Sequence, residues 1–207
     1  MITIVDYGVG NLFSLGCSLK KVGAPCRISP DPELIASSEG LILPGVGAFG
    51  DAADKLRDTG LGESVREYAA SGRPLLGICL GMQLLFEDSW EFGHHTGLGL
   101  IPGSVRSLAE RTQGLKIPHM GWNRLDITRG GGILGSLRGE NYMYFVHSFY
   151  ADCPDEYVTS YTEYGFPVTA SVQKDNVYGC QFHPEKSSES GLRILAEFCD
   201  IVRKGEL

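Results

Sequence analysis

The chain has 207 residues, of which 43% are hydrophobic and 21% charged, a composition typical of a globular protein with one sizeable core. It carries 18 basic and 25 acidic residues, a net charge of −7, without long runs of either sign. Nucleic acids and anionic membranes are therefore excluded as expected partners.

The N-terminus and the cysteines indicate the compartment. Residues 1–6 have no basic region and only a short apolar run, and no later stretch approaches the ~18 apolar residues of a membrane span. We therefore expect a cytoplasmic protein whose six cysteines are reduced thiols. Since no two of them form a Cys-x-x-Cys pair, the sequence predicts no zinc framework.

The first half of the chain alternates predicted strands and helices. Apolar, β-rich runs lie at residues 2–5, 26–28, 41–43 and 74–78. Helical signals lie between them: apolar residues at helical spacing over 12–22, an Asp-Pro start at 31–32, and a helical pattern over 51–70. This order predicts parallel strands joined by crossover helices.

The second half has a different pattern. Strand-like runs follow at residues 120–127, 142–150, 157–163, 168–173 and 177–182, and a helix is predicted over 188–202. Because turns separate these strands, we expect more antiparallel pairing here. The predicted fold class is α/β: a single domain over residues 1–207, with an open, mostly parallel sheet flanked by helices and additional antiparallel strands in the second half.

A lone cysteine stands at one strand-to-helix junction. In Gly77-Ile78-Cys79-Leu80-Gly81 an apolar strand runs into an amphipathic helical pattern, the context of a nucleophile elbow with sulfur in place of oxygen. Flanking glycines would allow a tight turn that leaves the sulfur exposed. The helix end contributes only ~0.3–1 kcal/mol, so a reactive thiol also needs a basic partner. The alternative is a small buried packing residue, as most lone cysteines are.

A histidine and a glutamate two residues apart are candidates for that partner. Pro184 favours an extended backbone at His183, and in an extended chain His183 and Glu185 point the same way. A carboxylate beside one imidazole nitrogen leaves the other to take a proton from a nucleophile. The alternative is a surface ion pair. A metal site built from Cys79, His147 and His183 would combine distant parts of the chain, and we expect no metal.

A glycine-rich turn follows the third predicted strand. Residues 41–43 end in Pro44-Gly45-Val46-Gly47. Glycines on both sides of Val46 allow its peptide groups to turn their N–H outward, so this turn and the N–H of Leu80 are candidate oxyanion-hole donors. Taken alone, such a segment is more often only a turn.

Together these segments resemble the class I, triad-type glutamine amidotransferases. The resemblance rests on PGVG at 44–47, GICLGMQ at 77–83 and FHPEKS at 182–187, and it covers the whole chain. It implies that Cys79 attacks the side-chain amide of glutamine and forms a thioester. His183, oriented by Glu185, takes the thiol proton, returns it to the departing ammonia and then activates water.

The resemblance also implies the groups that hold the substrate. N–H groups of Val46, Gly47 and Leu80 would bind the oxyanion. Gly47, Gln83 and the Ser148 backbone would contact glutamine, and no cofactor is implied.

Two further motifs resemble one subfamily, the glutaminase subunits of imidazole glycerol phosphate synthase. They are DYGVGN at 6–11 and PHMGWN at 118–123. The resemblance implies a heterodimer with a (β/α)8-barrel cyclase subunit. That subunit uses the ammonia to make imidazole glycerol phosphate and aminoimidazole carboxamide ribonucleotide in histidine biosynthesis. Residues towards this partner would be Asn11, Trp122, Asn123 and Lys186.

Other interpretations stay open at this point. A glutaminase subunit of the same fold could serve pyridoxal phosphate, anthranilate or surface-sugar amidation; the two extra motifs count against the first two. A cysteine hydrolase of γ-glutamyl peptides would be fully active without a partner. A non-enzymatic subunit requires a broken triad, and all three members are present. A dinucleotide loop at 8–13 is disfavoured because Phe13 replaces the third glycine.

Overall fold

The computed structural model describes residues 1–205. Its α-helices are α1 Leu12–Lys21, α2 Pro32–Ala36, α3 Phe49–Asp58, α4 Leu61–Ala70, α5 Leu80–Gln83 and α6 Ser188–Lys204. Its strands are β1 Ile2–Val5, β2 Cys26–Ser29, β3 Gly40–Leu43, β4 Leu75–Ile78, β5 Asp88–Ser89, β6 His95–Thr96, β7 Ser104–Ser107, β8 His119–Arg124, β9 Asp126–Ile127, β10 Tyr142–His147, β11 Phe149–Asp152, β12 Val158–Glu163, β13 Pro167–Lys174 and β14 Val177–Cys180. Over this range, no helix is both long enough and apolar enough to cross a membrane.

An eight-stranded sheet joins the two halves of the chain, in the order β2-β1-β3-β4-β14-β13-β12-β9. From β2 to β14 the neighbouring strands are parallel. Beyond β14 the pairing becomes antiparallel through β13 and β12 to β9. The predicted fold class, a mostly parallel sheet continued by antiparallel strands from the second half, is confirmed.

Hydrophobic side chains cover both faces of the parallel region. Leu56 and Tyr68, from α3 and α4, are buried in the cluster on one face. Leu19, Ile194 and Phe198, from α1 and α6, are buried in the cluster on the other. Because both faces are covered, β1, β3 and β4 are buried at every position and read as continuous apolar runs.

The carboxyl ends of three adjacent parallel strands bring the sequence motifs together. β3 leads into the turn at 44–47, β4 into Cys79, and β14 into residues 181–183. In the sheet β4 lies between β3 and β14. Open α/β sheets bind ligands in the crevice at this edge, so the fold positions the candidate site there.

Several predicted elements differ from the structure. The helix predicted over 51–70 is divided into α3 and α4, because Gly60 adopts φ +74 between them. The helix predicted after Cys79 is limited to the four residues of α5. The strand predicted over 120–127 is two strands, β8 and β9, which belong to different sheets. The strand predicted over 142–150 is likewise two strands in different sheets, β10 and β11. β11 joins β7, β5 and β6 in a small sheet, whose other strands the sequence does not predict.

The glycines on either side of Cys79 allow close packing, and the expectation that they make the turn is wrong. Positive φ falls on Cys79 itself, at +55, and on neither Gly77 nor Gly81. A Cβ on Gly81 would lie 1.8 Å from the carbonyl oxygen of Leu43, and one on Gly77 would lie 2.7 Å from the carbonyl oxygen of Gly81. The elbow therefore lies directly against the end of β3.

We expect Gly81→Ala to lower the free energy of unfolding by about 3 kcal/mol, because the new methyl group meets backbone that cannot move aside. Urea unfolding measures the change. The matched control is Gly16→Ala in α1, where a Cβ meets no atom within 4 Å. We expect that control to raise stability by about 0.5–1 kcal/mol. Equal effects of the two variants would contradict the close-packing role of Gly81.

Candidate active site

Cys79 occupies a strained turn between β4 and α5. Its backbone has φ +55 and ψ −113, a conformation that costs a residue with a side chain on the order of 1–3 kcal/mol. Its N–H donates to the carbonyl of Cys180 at 2.8 Å, and its own carbonyl accepts from the N–H of Gln83 at 3.1 Å. The thiol residue is only 7% exposed, so the expectation of an exposed sulfur is wrong. The sulfur is reached through a cavity.

His183 and Glu185 form a buried pair. Nδ1 of His183 lies 2.9 Å from Oε1 of Glu185, and both side chains are 3% exposed. The backbone of His183 is extended, with φ −97 and ψ 98, as Pro184 predicts. Glu185, however, lies in a single 3₁₀ turn over Pro184–Lys186. The 3₁₀ turn, and not the extended chain that the sequence predicts, therefore brings the two side chains together.

The charge on His183 depends on its two partners. Burial disfavours the protonated ring, but hydrogen bonds to Cys79 and Glu185, and the charges of both, outweigh it and raise the pKa of His183 to about 10. These two partners therefore favour the protonated form of the His183 ring. A protonated imidazole favours the thiolate form of a neighbouring cysteine. The same ring then holds a proton for a leaving group.

A cavity of about 320 Å³ opens beside the sulfur. The predicted site residues that line it are Val46, Gly47, Cys79, Leu80, Gln83, Ser148 and His183. The volume is at the small end of ligand sites in proteins. The structure thus brings the predicted catalytic, oxyanion and substrate-binding residues to one place, with Glu185 hydrogen-bonded to His183.

The candidate oxyanion donors border this cavity. Within residues 1–205, the N–H groups of Val46, Gly47 and Leu80 donate to no other backbone group. Val46 and Gly47 are exposed, and Gly47 has φ +97, a conformation that favours glycine. In the described chain these three N–H groups thus have no backbone acceptor, and their residues line the cavity.

Glu91 is a cavity residue that the sequence reasoning missed. It is buried and lines the cavity, and its Oε2 accepts the N–H of Phe49 at 2.8 Å. Burial raises the pKa of Glu91, although that hydrogen bond opposes the shift. Glu91 follows the two-residue strand β5, where no periodic pattern marks a buried carboxylate.

Two neutral histidines lie side by side, and one of them, His147, lines the cavity. Nδ1 of His119 is 3.0 Å from Nε2 of His147, and Nδ1 of His147 is 2.7 Å from the carbonyl oxygen of Phe149. Burial lowers the pKa of His119 to about 4. Burial also lowers the pKa of His147, to about 3. In the described residues, no three His, Cys, Asp or Glu side chains are grouped so that they could hold a metal ion.

The residues predicted to face a partner lie around the same edge. Asn11 caps α1 and borders a narrow second cavity shared with His183 and Glu185. Trp122 is exposed, and Nζ of Lys186 lies 5.8 Å from the ring centre of Tyr144. Asn123 differs, because its amide donates to the carbonyl of Glu163 at 2.7 Å and so is engaged within the chain.

The geometry described so far defines a triad-type cysteine enzyme built on an open α/β sheet. The family model "Glutamine amidotransferase class-I" matches residues 3–202. The chain therefore belongs to the class I glutamine amidotransferase family.

Curated relatives match the chain almost from end to end. The Imidazole glycerol phosphate synthase subunit HisH of Wolinella succinogenes is 49% identical over 204 residues, which cover 97% of this chain and 100% of the relative. The subunit of the same name from Sulfurimonas denitrificans is 50% identical over 201 residues, which cover 96% of this chain and 97% of the relative.

Solved structures share the fold at low sequence identity. A chain of PurLQS from Thermotoga maritima has a TM-score of 0.76 at 19% identity, covering 96% of this chain and 97% of that one. A structure described as a glutamine amidotransferase has a TM-score of 0.75 at 20% identity, covering 97% of this chain and 100% of that one. At these identities the likeness shows the fold alone.

The neutral histidines predict a loss of stability in mild acid. In the unfolded chain both rings bind protons below about pH 6.5, but the folded chain resists this until about pH 4 at His119 and about pH 3 at His147. Their contribution to stability is therefore fully present above pH 6.5 and is lost as the pH falls towards these values, because the unfolded state then binds more protons.

His119→Phe tests this account. A phenyl ring preserves the stacking on Phe145 and Tyr164 but cannot titrate. We expect a smaller difference in urea-unfolding free energy between pH 7 and pH 5 than in the unmodified chain. His94→Gln, at an exposed position, should retain the full difference. An unchanged pH dependence in His119→Phe would contradict the account.

Proposed function

We propose that this chain is the glutaminase subunit of an imidazole glycerol phosphate synthase, which hydrolyses glutamine and delivers ammonia to a partner. One observation carries the proposal: Cys79 and His183 line one cavity, with Glu185 hydrogen-bonded to His183, in a chain 49% identical to a HisH subunit. Glutamine is the substrate, and the reaction is the transfer of its γ-acyl group first to sulfur and then to water.

The first half-reaction forms a thioester. The Cys79 thiolate attacks the side-chain amide carbon, and the N–H groups of Val46, Gly47 and Leu80 stabilise the oxyanion. As the C–N bond breaks, His183 gives its proton to the leaving nitrogen, which departs as ammonia. Because His183 is protonated beforehand, it acts first as an acid.

The second half-reaction regenerates the site. Neutral His183, still held by Glu185, takes a proton from a water molecule whose oxygen attacks the thioester. The C–S bond breaks, glutamate leaves, and the thiolate and protonated His183 are restored. No cofactor is needed for either step.

Polar groups in the cavity suit the amino-acid end of glutamine. Both hydrogens of Gln83 Nε2 are used, on the carbonyl of Phe149 at 3.0 Å and on Oε1 of Gln181 at 2.9 Å. Gln83 Oε1 is therefore left as an acceptor for the substrate ammonium, together with the buried carboxylate of Glu91. The Ser148 backbone borders the same cavity, and we assign it and Gly47 to the rest of the substrate.

The partner is a (β/α)8-barrel cyclase subunit, and the two chains form a heterodimer. An exposed apolar face next to the site supports docking: Met120, Trp122 and Tyr142, on β8 and β10, are 62%, 51% and 48% exposed. Such a patch is typical of an interaction surface. It adjoins the site, because the carbonyl of Tyr144 accepts the N–H of His183 at 3.0 Å.

A glutamine-mimicking diazo-ketone tests the nucleophile. The full chain is incubated with the reagent, and the adduct is located by peptide mass. We expect one adduct, on Cys79, which Cys79→Ala abolishes. Cys17→Ser, at an exposed position of α1, should be labelled like the unmodified chain. Labelling of another cysteine, or none even with the partner present, would refute the proposed mechanism.

Dependence on the partner is the second test. Gly45 and Gly47 flank Val46, so the peptide there can change orientation at small cost. If the active orientation is a minor state of the free chain, the ligand-occupied cyclase should raise glutaminase turnover by about tenfold or more.

Turnover is measured with and without the cyclase and its nucleotide ligand. Trp122→Ala should weaken the stimulation, whereas Ile28→Ala, at an exposed position of β2 away from this face, should not. Equal rates with and without the partner would favour a partner-independent hydrolase.

A further inference from the structure

We propose that Gln181 is a positioning residue for this reaction, whose amide joins the Cys79 sulfur to the substrate-facing amide of Gln83 in one directed hydrogen-bond chain. The inference rests on the proposed function for its substrate, but its central claim concerns the sulfur alone. It adds a buried, neutral side-chain donor that faces the sulfur itself.

Hydrogen bonds link the Cys79 sulfur through Gln181 and Gln83 to the backbone carbonyl of Phe149. Gln181 follows β14 directly and is 0% exposed. Its Nε2 lies 3.6 Å from the sulfur of Cys79, within range for a hydrogen bond to sulfur. Its Oε1 accepts from Nε2 of Gln83 at 2.9 Å, and the other hydrogen of that nitrogen goes to the carbonyl of Phe149 at 3.0 Å.

The carbonyl of Phe149 decides which way each amide points. A carbonyl oxygen only accepts, so Gln83 must direct its nitrogen to Phe149. That nitrogen also meets Gln181, which must therefore present its oxygen there. The nitrogen of Gln181 is then the atom left to face Cys79. Reversing Gln181 alone would set two donors against each other, and reversing both amides would set two acceptors together.

His147 also holds the carbonyl oxygen of Phe149 in place. Its Nδ1 donates to the same Phe149 carbonyl at 2.7 Å, so the oxygen is held by two donors. Because both amides and the histidine are buried, reversal would leave unpaired polar groups in the interior, at a cost of about 1–3 kcal/mol each. The direction of the hydrogen-bond chain is therefore maintained.

An N–H aimed at sulfur favours the thiolate. A hydrogen bond to the charged form of a group stabilises that form, and a donor in a buried site acts more strongly than one in water. The amide carries no charge and accepts no proton at neutral pH, so it cannot replace His183. Gln181 instead restrains the sulfur at the strained elbow and shares its negative charge.

The other polar groups near the sulfur are neutral at neutral pH. Burial, and to a lesser degree the charge of Cys79, raises the pKa of Tyr7 far above its usual value. Burial likewise raises the pKa of the Cys180 thiol well above its usual value. Burial lowers the pKa of His147 to about 3. None of these three groups changes charge near pH 7.

The titrating and charged groups that remain are His183, with Glu185 hydrogen-bonded to it, and Glu91 in the cavity wall. None of them bonds to Gln181, whose amide contacts Cys79 and Gln83. A change at position 181 therefore alters the surroundings of the sulfur directly and leaves the His183–Glu185 pair in place.

Substrate binding acts on the sulfur through the same series of hydrogen bonds. When the substrate ammonium donates to Oε1 of Gln83, the Gln83 amide becomes more polarised, and its Nε2 becomes a better donor to Gln181. The N–H of Gln181 is in turn a better donor to sulfur. Occupation of the amino-acid subsite thus strengthens the stabilisation of the nucleophile.

The test is the pH dependence of Cys79 alkylation by iodoacetamide in the full chain, followed by peptide mass. Gln181→Met keeps the length of the side chain and removes both hydrogen bonds. We expect the midpoint of the alkylation profile to rise by about one pH unit, so that the rate below the midpoint falls about tenfold.

Gln181→Glu provides a second, nearly isosteric variant. It keeps an oxygen that accepts from Gln83 but puts a carboxylate at the sulfur, so we expect a larger upward shift of the midpoint. With glutamine and the cyclase present, Gln181→Met should lower kcat by a larger factor than it raises KM.

Asn176→Leu is the control for mere loss of a buried amide. Asn176 donates to the carbonyls of Ala69 and Arg73, both at 2.8 Å, outside the cavity. This variant should unfold at lower temperature and retain the unmodified alkylation midpoint.

The outcomes separate the inference from the proposed function. An unchanged midpoint in both Gln181 variants, with only thermal stability reduced, would make Gln181 a structural residue and overturn the inference. Alkylation requires neither glutamine nor a partner, so absence of glutaminase turnover in the unmodified chain with the ligand-occupied cyclase present would instead overturn the proposed function.

Discussion

The backbone at Gly81 approaches the carbonyl oxygen of Leu43 so closely that no side chain fits between them. This contact holds the first turn of α5 against the end of β3 and forces the change of chain direction onto Cys79, which takes the positive φ. It also sets the N–H of Leu80 beside the turn that follows β3. The positions of Cys79 and of the candidate oxyanion donors therefore depend on one approach of two backbones, and the covered sheet faces hold both in place.

The site contains two buried histidines whose protonation is opposite, and their partners explain the difference. His183 is hydrogen-bonded to the Glu185 carboxylate, and interactions with this carboxylate and with the Cys79 thiol raise its pKa to about 10. His147 has only a backbone carbonyl and a second histidine as partners, and its pKa is lowered to about 3. Burial disfavours the charged form of both rings, so a charged partner decides which one keeps its proton. The cavity is consequently lined both by His183, whose charged form is favoured, and by the neutral ring of His147.

The sequence predicts what short-range patterns determine. Apolar runs define β1, β3 and β4, and the motifs around Cys79 and His183 identify the candidate site because parallel strands end at a common edge. Other features depend on groups far apart in the chain. The partners of Gln181 are 98 and 102 residues away, so nothing near it predicts its contacts. Strands of two residues, such as β5 and β6, are too short to show a periodic pattern. The sequence therefore predicts neither these strands nor the buried Glu91 that follows β5. The 3₁₀ turn at Glu185 follows Pro184, where the sequence predicts an extended chain.

The burial of Cys79 also has a consequence for redox chemistry. A thiolate is the form that oxidants and disulfides attack, so a site that favours the thiolate carries a risk. Disulfide exchange requires a second sulfur to approach the first, and Cys79, only 7% exposed and reached through a cavity, excludes the thiols of other folded proteins. The geometry thus protects the Cys79 thiol from mixed disulfides with other folded proteins.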